Sequence, residues 1–561
     1  MASILAWIAP TVTEDHVRRL RLVYSDAEVQ LRSGAMLFMG SGRTFRRQPV
    51  SEAATYSART PTGKYSAGSI TRWGHDGSVE RALHVSVAND GLVVDVNSLG
   101  LRSIYTSTAE LDGTRGTLVS TRLDWITRIV GECEIDVETL GGHWLGFNQF
   151  ACRSLVSNVE RVSGGRLTVD VDGFRIDRQR WQPRSDEGSF LESLDGALAP
   201  LRDDPDRWSL GLSGGLDSRL LLSMLKSRKH ETNVVLNCHV FGNPIDPDVS
   251  VSTRIGAADY VAHKALEEPD LDASAALSLL REYCATTCAT TPATAGIKYL
   301  LYGSIAEQGR VIVDGAFGEV GRRQYLNRLR LFGRAALRNE DAEKLMPHFR
   351  YARSPVFCSE VMQRMKQGMV DELRELIHVL RATFGDDANL LIDGISIASR
   401  LPNYYGYGQA WVDMLADNFM PFTEVSVLSS IMQVSRTKES AAVSYKRVIR
   451  ERAPGLAKLP LVKGGREYPF WLGGVAATGY AMMRRRVGSQ AEKKPNHYLE
   501  LLKEYVIDSS RDRSTRDYAL YDPVAIQDLV DRYYAGEGSL EAAVDWWLAF
   551  DLWRRSLQSS G

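Results

Sequence analysis

The residues best suited to chemistry in this chain are Ser213, Gly214, Gly215, Leu216, Asp217 and Ser218, in unbroken succession. The apolar stretch 208–212 precedes them, and leucines at 220, 221, 222 and 225 follow on one helical face. The pattern predicts a strand, a tight glycine turn and a helix. Such a turn aims backbone N–H groups and the positive end of the helix dipole at one spot, which suits an anion such as a polyphosphate. Ser213 and Ser218 add two hydroxyls. Asp217 would repel a phosphate unless a cation lay between them, so it is the expected Mg²⁺ ligand.

The totals frame this loop. A chain of 561 residues suggests about two to four domains. Apolar content of 44% and charged content of 24% are those of a soluble globular protein. Sixty-eight Lys and Arg oppose sixty-nine Asp and Glu, so no global field calls for nucleic acid or an anionic membrane. No apolar run approaches the roughly 18 residues of a membrane span. The first residues lack the basic flank of a secretory signal, and six Cys do not make a disulfide framework. The expected location is cytoplasmic, with reduced thiols. Cys284 and Cys288 lie four apart without further ligands nearby and read as small packing residues.

The elements that must position the loop follow from patterning. Residues 1 to about 185 read as mostly β, with strands at Ile4–Ile8, 35–39, 82–87, 92–96 and 117–121. Residues 184–207 form a polar, acidic connection around a short helix at 190–198, and the domain boundary belongs there. A buried strand at 233–241 and a helix at 249–257 follow the loop. That alternation predicts a parallel sheet with its ligand at the strand C-termini. Asp248 reads as a helix cap ahead of a ligand. The basic run 321–334 has two readings: a solvated amphipathic helix, or a contact for triphosphate or an acidic peptide led by Arg322 or Arg323. Helices are expected at 342–345, 359–383 and 388–399. Tyr404, Tyr405, Tyr407 and Trp411 either line a substrate cleft or pack in the core. Residues 484–495 read as an exposed loop. Trp546, Trp547, Phe550 and Trp553 mark a packing helix within 539–557.

Ser-Gly-Gly-x-Asp-Ser in this setting resembles the pyrophosphate-binding loop of the N-type ATP pyrophosphatases. Those enzymes cleave ATP between its α and β phosphates and leave an adenylated substrate. The loop does not match the Gly-x-x-x-x-Gly-Lys-Ser/Thr pattern. Residues 91–105 resemble a strand–loop–strand of the glutamine amidotransferase domain of class B asparagine synthetases, usually written Asp-Pro-Leu-Gly-x-x-Pro-Leu-Tyr. Residues 162–170 and 180–183 look like that domain's closing strands and exit. Residues 309–325 are similar to the family's strand ending in Gly-x-Gly-Ser/Ala-Asp-Glu, whose Asp binds Mg²⁺. Glu319 holds that place here. Asp314 is either a second acidic ligand or a strand cap. Residues 418–424 resemble the family's Arg-x-Pro-Phe-Leu-Asp. Pro421, Phe422 and Glu424 fit, while Phe419 replaces the Arg. That segment shapes the acceptor pocket in relatives, so a different substrate is expected. Residues 459–471 resemble Leu-Pro…Lys-x-Gly-Phe…Pro, and Lys463 matches the Lys that stabilises adenylate and pyrophosphate. A lysine beside Gly464 and Gly465 can approach a ligand closely.

The resemblance covers nearly the whole chain in order. It implies an α/β protein: an N-terminal α+β amidotransferase-like (Ntn-type) domain over residues 1–185, and a C-terminal parallel-sheet ATP pyrophosphatase-like synthetase domain over 190–561. It implies ATP and Mg²⁺. It also implies Asp217 and Glu319 as metal ligands, Lys463 as the charge stabiliser, and Leu212, Ser213, Gly214, Gly215, Ser218 and Gly315 around the pyrophosphate. Two departures matter. Glutamine-using members carry Cys directly after the initiator Met, and Ala2 stands there, so glutaminase activity is not expected. The position that is Glu in asparagine synthetases and Tyr in β-lactam synthetases is Ala316. Together these lean towards the lasso-peptide cyclases, which join a precursor peptide's N-terminal amine to an Asp or Glu side chain. An α-amine with a pKa of about 7.7–8.0 needs no strong base, which fits Ala316. A leader peptidase and a leader-binding protein are then expected partners. The alternatives are a β-lactam synthetase-like or ammonia-dependent asparagine synthetase-like ligase, or a silent nucleotide-binding scaffold.

Overall fold

The computed structural model describes residues 4–558 except 24–27, 33–35, 41–44, 50–53, 59–62, 67–68, 73–82, 88–90, 132, 185–187, 227–235, 260, 323–325, 434–440, 474–479, 481–482 and 484–495. Ala2, Arg323, the 484–495 loop and the start of the expected 233–241 strand lie outside the described residues.

The front of the chain is built around Ile4–Ile8. Ile4, Ala6 and Ile8 face one apolar cluster, while Leu5 and Trp7 face another, all at 0% exposure. A strand that is apolar on both faces needs a layer on each side. One layer is a second sheet contributing Leu92, Val94, Leu167 and Val169, and the other is formed by the helices Glu14–Val23 and Leu123–Val130. The two sheets are six-stranded and their mapped pairings are antiparallel.

The rest is mixed α/β around a five-stranded parallel sheet: β1 (Trp208–Gly211), β2 (Asn237–Phe241), β3 (Ala262–Leu266), β4 (Val311–Val313) and β5 (Asn418–Phe419). Their order is β3-β2-β1-β4-β5, so the winding direction reverses between β1 and β4. In an open parallel sheet, that reversal leaves a crevice beyond the strand C-termini. Trp208 pairs with Val311 and Leu210 with Val313, so the chain leaves both strands at the same level. The turn after β1 and the turn after β4 therefore face each other across the crevice.

The helix after β1, Leu216–Lys226, is covered on all sides rather than on the one face expected; Ser218 through Leu225 are all buried. It packs against Phe190–Asp203 and Ala441–Arg452, which leaves it no solvent face. Phe190–Asp203 extends the expected 190–198 helix and opens with a capping box between Ser189 and Glu192.

The helix expected at 388–399 ends early. Ala388–Ile395 is α-helical, Ser396–Tyr405 is a π-helix, and Gly406–Leu415 returns to α. Pro402 lies inside the π segment; it has no N–H and cannot sustain α-helical bonding, and a widened turn accommodates it.

The front sheets and the parallel-sheet region share a seam. Val137–Leu145 crosses Ser359–Phe384 so closely that a Cβ on Gly141 would lie 1.9 Å from the Met365 carbonyl oxygen, and one on Gly368 2.1 Å from that of Glu138. Arg102 bonds Asp413 through two contacts of 2.7 Å. Arg161, 1% exposed, donates to Asn403 Oδ1, Tyr407 Oη and the Pro402 carbonyl oxygen, so a front-region side chain holds the π-helix. The closing helix Glu541–Gln558 buries Trp546, Trp547, Phe550 and Trp553, as expected. Among the described residues, no helix is long and apolar enough to cross a membrane.

Candidate active site

The turn after β1 is tied to itself and to its neighbours. The Ser213 N–H donates to Ser218 Oγ at 3.2 Å, and the Gly215 N–H to Ser213 Oγ at 3.1 Å. The Gly214 N–H donates to Asp248 Oδ1 at 3.0 Å. These amides are thus engaged within the protein, contrary to the expectation that Gly214 presents its N–H to phosphate. Asp248 is also not a helix cap: the helix Pro247–Asp259 begins one residue earlier, because proline suits the first helical position. The carboxylate is left to reach back to the turn, and burial raises its pKa. The hydroxyls of Ser213 and Ser218 lie 3.2 Å apart on the crevice, and since the Ser218 hydroxyl donates to the Ser213 carbonyl oxygen at 3.3 Å, the Ser213 hydroxyl is the donor that the turn has left to offer.

Asp217 begins the following helix and stands against the turn after β4. A Cβ on Gly318 would lie 2.5 Å from the Asp217 carboxyl carbon, so only glycine permits the approach. Asp217 Oδ2 accepts from Arg322 Nη2 at 2.6 Å, and Oδ1 is buried with no hydrogen-bond partner. Burial pushes the Asp217 carboxyl up to about 6, against the pull of Arg322 and with the push of Glu319. Glu319 Oε1 takes Arg400 Nε at 3.3 Å and the Tyr405 hydroxyl at 3.0 Å. The site thus holds two adjacent carboxylates, each neutralised by an arginine. Phe317, just before Gly318, sits at φ 70° and is fully buried, edge-on to Tyr405. A bulky residue in the left-handed region is strained and persists only where its surroundings fix it.

The donor chemistry fits Mg²⁺. Asp217 Oδ1 is an orphaned buried oxygen beside a second carboxylate, and Mg²⁺ binds through one or two carboxylates with phosphate oxygens and water completing its shell. Among the described residues, no group of three His, Cys, Asp or Glu converges on a metal position. The two expected ligands come together, and of the two readings of Asp314 the structure shows the strand cap. Asp314 accepts from the Ala316 N–H at 2.9 Å.

Lys463 ends β6 (Leu461–Lys463), which pairs with β7 (Arg466–Tyr468) through Gly464 and Gly465 at φ 57° and 69°. The hairpin docks on the turn after β1: the Val462 N–H donates to the Gly214 carbonyl oxygen at 2.9 Å, and a Cβ on Gly214 would meet Val462 at 2.4 Å. Arg219 locks the contact. Its fully buried guanidinium donates to the carbonyl oxygens of Leu456, Leu459, Pro460 and Gly214. Sequence reading missed Arg219; its one signal is a charge inside an otherwise leucine-rich helix.

Leu212, Ser213, Gly215, Asp217, Ser218, Gly315, Glu319 and Lys463 line one cleft of about 780 Å³. Gly214 alone of the expected set does not line it. Leu212, Val240 and Phe241 provide an apolar wall, and Arg322, Arg400, Lys298 and Tyr468 complete the polar lining. Lys298, an exposed residue, lines the cleft; desolvation lowers its pKa, while Asp314 and Glu268 oppose the shift. Nothing in the sequence singled out Arg400, Tyr405 as a partner of Glu319, or Lys298. No protein-family model and no curated protein matches the chain.

The remaining candidates sort by position. The basic run is not one amphipathic helix: Arg322 turns into the cleft, and the helix Asn327–Phe332 buries Leu329 while exposing Leu331 and Phe332. Tyr404 and Tyr405 line a second cavity beside the cleft, whereas Tyr407 and Trp411 are core residues, 2% exposed. Asn418 and Met420, flanking Phe419, line that cavity as well. Cys284 and Cys288 are fully buried, and burial raises both thiol pKa values.

The arrangement can bind a polyanion through a serine hydroxyl, a lysine and two arginines. It can hold a divalent cation on two carboxylates. Charge developing on a leaving phosphate would meet fixed cations in a partly enclosed site, where such contacts count for more than in water.

Proposed function

We propose that this chain is an ATP-dependent, AMP-forming amide ligase resembling the class B asparagine synthetases, and that it closes an amide within a precursor peptide, as lasso-peptide cyclases do. On this reading, residues 1–185 form an amidotransferase-like (Ntn-type) region and residues 190–561 a synthetase domain. The observation that carries the proposal is the buried, unpartnered oxygen of Asp217 beside Glu319, under the hydroxyls of Ser213 and Ser218 and on the same cleft as Lys463.

The residues divide the work. The Ser213 hydroxyl donates to phosphate oxygens. Asp217 and Glu319 hold Mg²⁺, which supplies charge neutralisation for the phosphates. Lys463 and Arg322 face the charge that gathers on pyrophosphate. The Asp or Glu carboxylate of the substrate attacks the α-phosphorus of ATP, forming an acyl–phosphate bond as the bond to the β-phosphate breaks. The peptide's N-terminal amine then attacks the acyl carbon and AMP leaves. Positioning and fixed charge supply most of such catalysis. A precursor peptide, with a leader peptidase and a leader-binding protein, completes the proposed system.

The test is mass spectrometry of a reaction containing ATP, Mg²⁺ and a peptide with a free N-terminal amine and an internal Asp or Glu. A product lighter by one water, with AMP and pyrophosphate formed and none from the N-acetylated peptide, is expected. AMP formation with only intermolecular or small-acid products would overturn the macrocyclase reading and leave a different amide ligase.

A further inference from the structure

Asp217 is expected to hold a cation, and in this structure it already pairs with one. Arg322 Nη2 stands 2.6 Å from Asp217 Oδ2, and the two side chains are 19% and 16% exposed. The other oxygen, Oδ1, is buried and has no hydrogen-bond partner. With the guanidinium in place, neither oxygen is open to an ion arriving from solvent. Opening Asp217 to a metal means moving Arg322.

The surroundings make such a move local. The short helix Gly318–Gly321 carries Glu319 and ends at Arg322, whose N–H donates to the Gly318 carbonyl oxygen at 3.1 Å. One turn of chain therefore brings the second proposed ligand and the arginine to the same side. The main chain there is pinned: a Cβ on Gly321 would lie 2.2 Å from the hydroxyl oxygen of Tyr445, a fully buried residue. What is left to move is a long side chain, and it lines the cleft together with Ser213 and Lys463. A guanidinium pairs with phosphate oxygens through the same fork of N–H donors that it offers a carboxylate.

Charge decides which cation can enter. A bare dication at Asp217 would meet a guanidinium already on the same carboxylate, and like charges at that range repel strongly in a partly enclosed site. It would also find few ligands, since among the described residues no group of three His, Cys, Asp or Glu converges on a metal position. Mg²⁺ held by two carboxylates relies on phosphate oxygens and water for the rest of its shell. A cation that arrives on a triphosphate brings those oxygens, and it brings anions to which Arg322 can move.

We propose that Arg322 is a stand-in cation for the metal: it holds the Asp217 carboxylate until a metal–nucleotide complex arrives and then passes to the phosphates. The cleft thereby admits the metal with ATP and turns the free ion away. This rests on the ATP reading of the cleft and adds how the cation is admitted.

The probe is Mn²⁺, whose free ion gives an electron paramagnetic resonance signal that is lost on binding. It is titrated into the full chain without nucleotide, and binding of Mn²⁺-ATP is measured separately by calorimetry. The natural chain is expected to leave Mn²⁺ free up to about 1 mM and to bind Mn²⁺-ATP. Arg322→Met is expected to bind Mn²⁺ alone at least about tenfold more tightly, and Mn²⁺-ATP about tenfold more weakly as its phosphate contact is lost. Adding Asp217→Asn to Arg322→Met should remove the gain in Mn²⁺ affinity. Arg322→Lys keeps the charge and should keep the free ion out. An arginine with a merely structural part would shift the thermal midpoint and leave Mn²⁺ affinity where it was. Submillimolar Mn²⁺ binding by the nucleotide-free natural chain, which needs no variant to observe, would overturn the role of Arg322. So would an unchanged Mn²⁺ affinity in Arg322→Met that still binds Mn²⁺-ATP, and either result leaves the ATP site standing. A natural chain that does not bind Mn²⁺-ATP would overturn the ATP reading of the cleft, the ligase reading and this role together.

Discussion

The wall of the cleft that carries Ser213, Asp217 and Ser218 is knit by bonds within the turn itself, two and five residues apart in sequence. The opposite wall, carrying Arg400, belongs to a π-helix held by Arg161 from 242 residues away. The first wall is a strand-to-helix turn, which short-range spacing specifies. The second has a backbone form that is stable only where surrounding structure enforces it. Arg161 supplies part of that enforcement from the front region. Gln149 and Ala151 supply more, their carbonyl oxygens accepting from Asn403 Nδ2. Glu372 braces the same stretch by accepting the Phe150 N–H at 3.0 Å. The difference teaches what the front region contributes here: it sets the shape of the cleft's far wall.

The largest effect is expected at the first wall. Asp217→Ala removes one of the two proposed metal ligands and should lower AMP-forming turnover by roughly 10²–10³-fold or more, with folding kept, as read by AMP release and circular dichroism. Breaking the second wall should act through stability as well. Arg161→Met leaves the Asn403 and Pro402 oxygens without their donor, at a cost of about 1–3 kcal/mol for each, and should raise the KM for the carboxyl substrate more than that for ATP. If ATP affinity fell as far as substrate affinity, the two walls would not be independent.

The pH response sharpens the same contrast. Burial pushes the Glu372 carboxyl up to about 8, from an ordinary value near 4.5. A raised folded-state pKa means that the neutral acid is the form the fold prefers. Its contribution is fully present below about pH 4.5 and is lost as pH rises through 8. The thermal midpoint should therefore fall between about pH 4.5 and about 8 and level off above that, with a loss of order a few kcal/mol, and Glu372→Gln should flatten that fall. At the first wall, Asp217 must ionise to hold a cation, so Mg²⁺-dependent ATP binding should weaken as pH drops below about 6. The smallest effect is expected for Tyr405→Phe. Loss of the 3.0 Å bond to Glu319 is worth about 1 kcal/mol and should lower turnover by about fivefold, measured at saturating ATP.

These contrasts also mark what the sequence disclosed. The turn at 213–218 was legible because glycines, hydroxyls and a charge at short spacing carry their own geometry, whereas Lys463 stood out through the resemblance of residues 459–471. The alternation of strand and helix led to the parallel sheet, and the apolar periodicity of Trp546, Trp547, Phe550 and Trp553 to the closing helix. Arg400, and the pairing of Tyr405 with Glu319, stayed hidden because residues 388–399 carry an ordinary helical period, and the change to π geometry depends on partners elsewhere in the chain. Arg219 was hidden because its four acceptors are main-chain carbonyls, which leave no mark on side-chain patterns. The engagement of the Gly214 N–H by Asp248 could not be read either, since it depends on where a helix 34 residues later begins.

The central claim is that the crevice between β1 and β4 binds ATP through a metal held by Asp217 and Glu319. Calorimetric titration of ATP with and without Mg²⁺, in the natural chain and in Asp217→Asn, tests it most directly. The account predicts that Mg²⁺ tightens ATP binding at least about tenfold in the natural chain, a coupling of about 1.4 kcal/mol, and that Asp217→Asn abolishes this gain. ATP binding that is indifferent to Mg²⁺, or an undiminished Mg²⁺ effect in Asp217→Asn, would contradict it.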